Sequence, residues 1–192
     1  MARHKAFDEA AVLERAMDYF WQHGYEKTSI QDLVKHLGVK AQSLYNTYGS
    51  KRDLYQAALR HYIAKSSAVA TLEQTPSGKA AIVKVFRDAL DGIARADCRK
   101  GCLIANTAVE LGPHDPEIAA WIEQERLRAE KAYLSALVRA REQGELPERH
   151  QNLVALARYL HNAHSGLMVT AKTVRDMAVL EDIVQVTLSI FD

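Results

Sequence analysis

The sequence predicts an all-α protein: a small N-terminal module of three helices joined by a long helix to a larger helical body. Apolar residues recur every three or four positions nearly throughout the 192 residues. Strand-like alternation is absent, and only four prolines and nine glycines punctuate the chain. Its 48% apolar and 26% charged composition suits an ordinary soluble protein. No apolar run approaches the roughly 20 residues of a membrane span. Asp8, Glu9 and Glu14 interrupt any signal-peptide core, so a cytoplasmic location is expected.

The first helix is predicted over about 8–23, with Val12, Leu13, Ala16, Met17 and Phe20 on its apolar face and Gly24 as its stop. Thr28 and Ser29 open the second. Thr28 with Gln31 and Ser29 with Asp32 both have capping-box spacing, and Ile30, Leu33, Val34 and Leu37 form a buried stripe ahead of Gly38. A short third helix covers about 40–46. Ser50 and Asp53 then cap a fourth, which can run from Lys51 to about Leu72 without glycine or proline, as a rod between module and body. After the break at Thr75, Pro76, Ser77 and Gly78, helices are expected near 79–96, 102–111, 116–142, 150–173 and 177–190. The expected division is a helix-turn-helix module over 1–50 and a ligand-sensing, dimerising body over 51–192.

Two short helices joined by Leu37, Gly38 and Val39 place the second of the pair where it can enter a DNA major groove. The net charge is only +1, but residues 1–65 hold ten Lys and Arg against seven Asp and Glu. The positive balance therefore lies at the front. Thr28 and Ser29 offer hydroxyls and free amides at one helix start, and Lys51 stands at the next, an arrangement suited to gripping phosphates. Lys40, Ala41, Gln42 and Ser43 begin the third helix. Gln42 and Ser43 suit base edges, Lys40 guanine or phosphate, and Asn46 lies a turn further on. Tyr45 and Tyr48 can pack their rings inward while one or both hydroxyls meet phosphate. Taken singly, each of these is an ordinary cap, core aromatic or solvated charge. Their joint order around Gly38 carries the reading.

That order resembles a known family. Gly24-Tyr25-Glu26-Lys27-Thr28-Ser29-Ile30-Gln31-Asp32-Leu33, then Leu37-Gly38-Val39, then Leu44-Tyr45-Asn46-Thr47-Tyr48-Gly49-Ser50-Lys51 looks like the N-terminal signature of TetR-type regulators, over about the first 60 residues. The resemblance implies phosphate contacts for Thr28, Tyr45 and Lys51 and base reading by the third helix. Lys40 stands where a capping serine or threonine is common in the family, and Thr47 where histidine is frequent. The resemblance further implies a repressor released by a small-molecule inducer, and a homodimer built as a four-helix bundle from the last two helices. Those helices carry the apolar stripes Leu153, Leu156, Leu160, Leu167 and Met168, then Leu180, Ile183, Val184, Leu188 and Phe191. Such a dimer reads palindromic double-stranded DNA with half-sites about 34–36 Å apart.

The effector is unspecified, and no metal, cofactor or catalytic residue is expected. Phe86, Leu90, Leu103, Asn106, Glu110, Trp121, Ile122, Tyr133, His161 and His164 lie on helices able to line a mostly apolar pocket. Asn106 and Glu110 share one helix face and would need partners if buried. Cys98 and Cys102, one helical turn apart with Arg99 and Lys100 between, offer an alternative: thiols that sense oxidants or electrophiles. His161 and His164 have i, i+3 spacing with no third ligand nearby. An all-helical thiol or metal hydrolase built on Cys102, His114, His161 and His164 is the alternative from another class. It lacks any nucleophile elbow, phosphate-cradling loop or H-E-x-x-H motif.

Overall fold

A computed structural model describes residues 7–95 and 100–192, and among them all regular structure is helical. The front of the chain folds as α1 (Glu9–His23), α2 (Ile30–Leu37), α3 (Ala41–Tyr48) and α4 (Lys51–Lys65). Side-chain caps set three of these starts. Asp8 accepts the amides of Ala10 and Ala11, Ser29 and Asp32 form a reciprocal capping box, and Ser50 accepts the Asp53 amide. Of the two capping-box spacings at the start of α2, Ser29 with Asp32 is the one used. Gly38 ends α2 in the left-handed conformation at φ 70°, which a side chain tolerates poorly, and so sets the turn into α3.

The fourth helix does not continue to Leu72. It ends at Lys65, and α5 (Ala68–Gln74) starts anew after Ser66 and Ser67. Two adjacent serines hold the chain weakly in helix, because their hydroxyls compete for the backbone. Packing requires the break as well. Leu54, Tyr55, Ala58 and Leu59 of α4 are buried with α1, α2 and α3, whereas Leu72 of α5 is buried in the body. The connector is thus two helices, each committed to its own core.

The body continues with α6 (Gly78–Arg95), α7 (Leu103–Glu110), α8 (Pro116–Glu142), α9 (Leu153–Thr170) and α10 (Met177–Leu188), closed by a short 3-10 turn at Ser189–Phe191. Asp115 caps α8 and Pro116 occupies its first turn, where a missing amide costs nothing. The body core gathers Leu72, Ile82, Val85, Phe86, Tyr133, Ala136, Leu137, Leu160, Leu167 and Leu180. At the start of α6, Gly78 lies so close to α8 that a Cβ would stand 2.1 Å from the Ala136 carbonyl oxygen. The front core recruits residues from beyond the connector: Leu103 and Leu111 around α7, and Ile118 of α8. α7 therefore packs as part of the front module, although the sequence groups it with the body.

Candidate nucleic-acid interface

α3 is held from behind and open in front. Leu44 alone among its residues is fully buried, seated in the core with Phe20, Leu33 and Leu37. Lys40, Gln42, Asn46 and Thr47 are exposed, Ala41 and Ser43 are half-buried, and Tyr45 is 45% exposed. Gln42 Nε2 donates to Asn46 Oδ1 at 2.9 Å, so these two side chains form one preset polar unit on the outer face. Lys40 occupies the N-cap position without a side-chain cap bond. The first-turn amides of α3 thus lack side-chain acceptance from the cap, and the lysine ammonium adds positive charge to that end. An exposed row of amide, hydroxyl and cationic groups on a short helix, backed by apolar packing, has the chemistry of a groove-reading surface.

Thr28 and Lys51, which flank α3, are arranged differently from the expectation, while Tyr48 packs its ring inward as the sequence allowed. Thr28 is buried, with its hydroxyl donating to the Gly24 carbonyl at 2.6 Å, so that hydroxyl locks the turn between α1 and α2 instead of facing outward. Tyr48 donates to the Glu9 carbonyl at 3.1 Å and is half-buried, which leaves Tyr45 as the outward tyrosine of the pair. Burial pushes the Tyr48 hydroxyl above its ordinary pKa, with Glu9 adding to the effect, so it stays a neutral donor. Lys51 turns inward. Its ammonium donates to the carbonyls of Tyr25 at 3.0 Å and Thr28 at 2.9 Å, and lies 4.0 Å from the centre of the Tyr25 ring. An ammonium has three donors, so one N–H remains for an outside acceptor. Ser29 is exposed at the start of α2, its hydroxyl donating to Asp32 at 2.5 Å.

The residues expected to line one effector pocket fall into two groups. Phe86, Tyr133, Leu90, His161 and His164 lie on α6, α8 and α9 of the body, with Phe86 meeting the His164 ring edge-on at 5.7 Å between centroids. Leu103, Asn106, Glu110, Trp121 and Ile122 lie instead at the junction with the front module. Packing divides them, because α7 buries its apolar side in the front core, against α4 and the start of α8. A hollow of about 100 Å³ at that junction is lined by Gln56, Leu59, Arg60, Glu117, Ile118 and Trp121. A cleft of about 530 Å³ opens at the other end of the body, between Arg141, Glu145, Leu146 and Phe191, and includes none of the expected residues.

The junction is strongly polar, and sequence reasoning missed most of it. Glu110 accepts the amides of Tyr25 at 3.0 Å and Glu26 at 2.9 Å. Arg52, on the first turn of α4, grips Asp115 through both terminal nitrogens and Glu117 at 2.9 Å. Thr107 donates to the Leu103 carbonyl at 2.7 Å, so the buried Tyr55 hydroxyl donates to Thr107, at 2.8 Å. Trp21 Nε1 donates to the Gly101 carbonyl at 3.2 Å, and Lys100 reaches Asp18 at 3.2 Å. Asn106 joins a third element: it donates to the Lys100 carbonyl at 2.9 Å and accepts from Lys172, beyond the end of α9, at 2.8 Å. The legible signal was Asn106 with Glu110 on one helix face, polar residues that need partners once partly buried.

Cys98 lies outside the described residues. Cys102 is half-buried at the N-cap of α7 beside the Tyr62 hydroxyl, whose pKa is raised by burial and by the thiol. Cys102 and the exposed His114 stand at opposite ends of α7, about 12 Å of helix apart. His161 and His164 are half-buried on α9 of the body. The hydrolase arrangement is therefore not assembled. Among the described residues no group of three or more His, Cys, Asp or Glu is placed to hold a metal ion, and no helix is long and apolar enough to cross a membrane.

Comparison with known proteins gives consistent matches. Residues 12–58 match the family described as bacterial regulatory proteins, tetR family, and residues 78–187 match the tetracyclin repressor-like C-terminal domain. The chain is 44% identical over 194 residues to the uncharacterized HTH-type transcriptional regulator YezE of Bacillus subtilis (strain 168), covering 100% of both. It is 33% identical over 188 residues to the HTH-type transcriptional repressor ComR of Escherichia coli (strain K12), covering 96% of this chain and 87% of that protein. Among solved structures, a cysteine mutant of the TetR family transcriptional regulator CifR, complexed with 26-bp double-strand operator DNA, superposes with a TM-score of 0.85. It is 26% identical, with 100% of both chains covered.

Proposed function

Because this chain belongs to the TetR family of bacterial regulatory proteins and is a helix-turn-helix transcriptional regulator, we propose that it acts as a cytoplasmic homodimeric repressor. It binds palindromic operator DNA, is released by a small-molecule effector and catalyses no reaction. The observation that carries this reading is the outer face of α3, where Lys40, Gln42, Tyr45 and Asn46 are exposed on a helix anchored by Leu44. In this reading Gln42, Ser43 and Asn46 meet base edges. Lys40 and Tyr45 meet phosphate or bases, Ala41 allows close approach, and Ser29, Lys51 and the backbone beside Thr28 and Tyr48 border the phosphate path. The operator-bound relative CifR supports the assignment of DNA as partner. The reading head comprises residues 1–50, and residues 51–192 sense and dimerise.

The dimer reading is supported by apolar side chains left outside on the last two helices: Val154, Tyr159 and Val169 of α9, and Val179 and Val186 of α10, the last 68% exposed. Gly166 is exposed between them with open space around it, which lets a second helix approach closely. A two-fold axis through this face pairs each patch with its own copy. The polar junction then gives release a definite form. Glu110 and Lys100 tie α7 and the segment before it to the head, and Arg52 ties α8 to α4 behind it, so a shift of the body moves the head with it. A preference of about 1 to 3 kcal/mol of the effector for the shifted state changes operator affinity 5- to 150-fold.

Selecting bound duplexes from a random pool, then titrating the best at several salt concentrations, tests this. The expected result is a palindrome bound by two chains, with affinity falling steeply as salt rises. Recovery of no enriched sequence would sink the reading.

A further inference from the structure

The body core holds a hydroxyl that the fold does not satisfy. Tyr133 of α8 is 2% exposed, and its oxygen is sealed from solvent without a hydrogen-bond partner. The contrast with the other buried hydroxyls is sharp. Thr28, Thr107 and Thr187 each donate to a backbone carbonyl four residues earlier. Native folds rarely leave a buried hydroxyl unpaired, because the group has lost water and gained nothing in return. Tyr133 shares its core with Phe86, which meets His164 edge-on at 5.7 Å. Burial, with His161 adding to it, holds His164 down at about 4, so the imidazole is neutral near neutral pH. The nearest acidic group one turn along α8, Glu130, is engaged by Arg126.

We propose that Tyr133 is the polar anchor of the effector site, and that the effector is a small uncharged molecule presenting a carbonyl-type acceptor on an apolar, preferably aromatic, body. The proposal rests on the reading of this chain as an effector-released regulator. A phenol kept neutral by burial donates one hydrogen bond, so its complement is an acceptor. Arg139, the other group with a buried unpartnered nitrogen, lies more than a turn and a half further along α8 and donates to the Leu72 and Thr75 carbonyls, so a carboxylate or an ammonium at Tyr133 would enter without an adjacent counter-charge and lose its hydration. Phe86 and the neutral His164 ring offer aromatic surface to a flat ligand. Because the hydroxyl is sealed, the occupant enters as α6, α8 and α9 part locally. The bond it makes exists only in that opened state, which is the differential affinity that shifts a population.

The test uses the full-length protein and measures its melting temperature without DNA, then operator release. The probes are acetophenone, ethylbenzene of the same shape without an acceptor, benzoate, and a panel of neutral ketones, esters and amides. The proposal expects neutral carbonyl compounds to raise the melting temperature and release operator, ethylbenzene to bind more weakly, and benzoate not to bind. Tyr133→Phe should bind the carbonyl compounds about tenfold more weakly, the worth of one hydrogen bond, with ethylbenzene unchanged. If that variant fails to fold, the wild-type series decides alone, since the carbonyl and its acceptor-free twin differ by the same bond. Absence of binding by every neutral carbonyl up to about 1 mM, binding of benzoate equal to acetophenone, an undiminished Tyr133→Phe, or binding without operator release would each overturn it. A protein that binds ketones but no duplex would overturn the regulator reading and leave the site standing.

Discussion

The Glu110 carboxylate accepts the backbone amide of Tyr25 at 3.0 Å across 85 residues of sequence. Its second oxygen takes the neighbouring Glu26 amide at 2.9 Å. One side chain at the end of α7 thus closes the turn between α1 and α2, the turn that sets where α2 begins and hence where α3 points. Removing it leaves two amides at a half-buried turn without their acceptor. Glu110→Ala is expected to cost about 1 to 3 kcal/mol of stability and to weaken operator binding while reducing the response to effector. Paired melting and duplex titrations check this. Glu110→Gln, which keeps one good acceptor, should recover part of both.

The ion pair between Arg52 and Asp115 is expected to persist across the physiological range and fail only in acid. The Arg52 guanidinium, followed by the Ile118 amide, pulls the Asp115 carboxyl from its ordinary 3.8 down to about 2. A carboxyl whose folded pKa is depressed contributes stability that is present above the unfolded value and lost as pH falls through the folded one. Melting temperatures of the native protein and Asp115→Asn should therefore differ by a constant amount above about pH 5, and converge toward pH 2. A difference that instead grew in acid would contradict the geometry of this pair.

His164 predicts a separate pH response at a milder acidity. Its folded pKa, lowered to about 4 from 6.5 by burial and by His161, means the unfolded chain binds a proton there before the folded one does. Stability should decline as pH drops from about 6.5 to 4, by at most about 3 kcal/mol because part of the residue still meets solvent. His164→Phe should flatten that decline in denaturant titrations run across the window.

Gly78 predicts a packing failure. A methyl group there would stand 2.1 Å from the Ala136 carbonyl oxygen and 2.4 Å from the Ala140 nitrogen, both backbone atoms that cannot swing aside. Gly78→Ala should force α6 away from α8 and destabilise the body by about 1 to 3 kcal/mol or more, visible in urea unfolding. Gly92→Ala, in open space on the same helix, is the control and should be neutral or slightly stabilising.

The legible and illegible parts of this protein divide along physical lines. Helix starts and stops written in local chemistry could be read directly: Ser29 with Asp32, Ser50 with Asp53, Gly24, Gly38 and the apolar stripes of α1 and α2. The outward placement of Gln42 and Asn46 was legible too, whereas the Tyr45 ring, expected to pack inward with that of Tyr48, stands 45% exposed. What could not be read were choices made by distant parts of the chain. The break at Ser66 and Ser67 exists because α4 and α5 serve different cores. Lys51 turns inward because the Tyr25 and Thr28 carbonyls and the Tyr25 ring, more than twenty residues earlier, await it. Asn106 and Glu110 were singled out as residues needing partners. Their partners, Lys172, Lys100, Tyr25 and Glu26, lie on segments no local pattern connects to α7.

The most direct test of the central claim, that the outer face of α3 reads DNA, compares the native protein with a Lys40→Ala, Gln42→Ala, Tyr45→Ala variant on a selected palindromic duplex. Because these side chains are exposed, the variant should melt within about 1 kcal/mol of the native protein and remain dimeric. It should lose at least about tenfold in affinity and show a shallower salt dependence. Equal affinity and equal salt dependence for the two proteins would contradict the account.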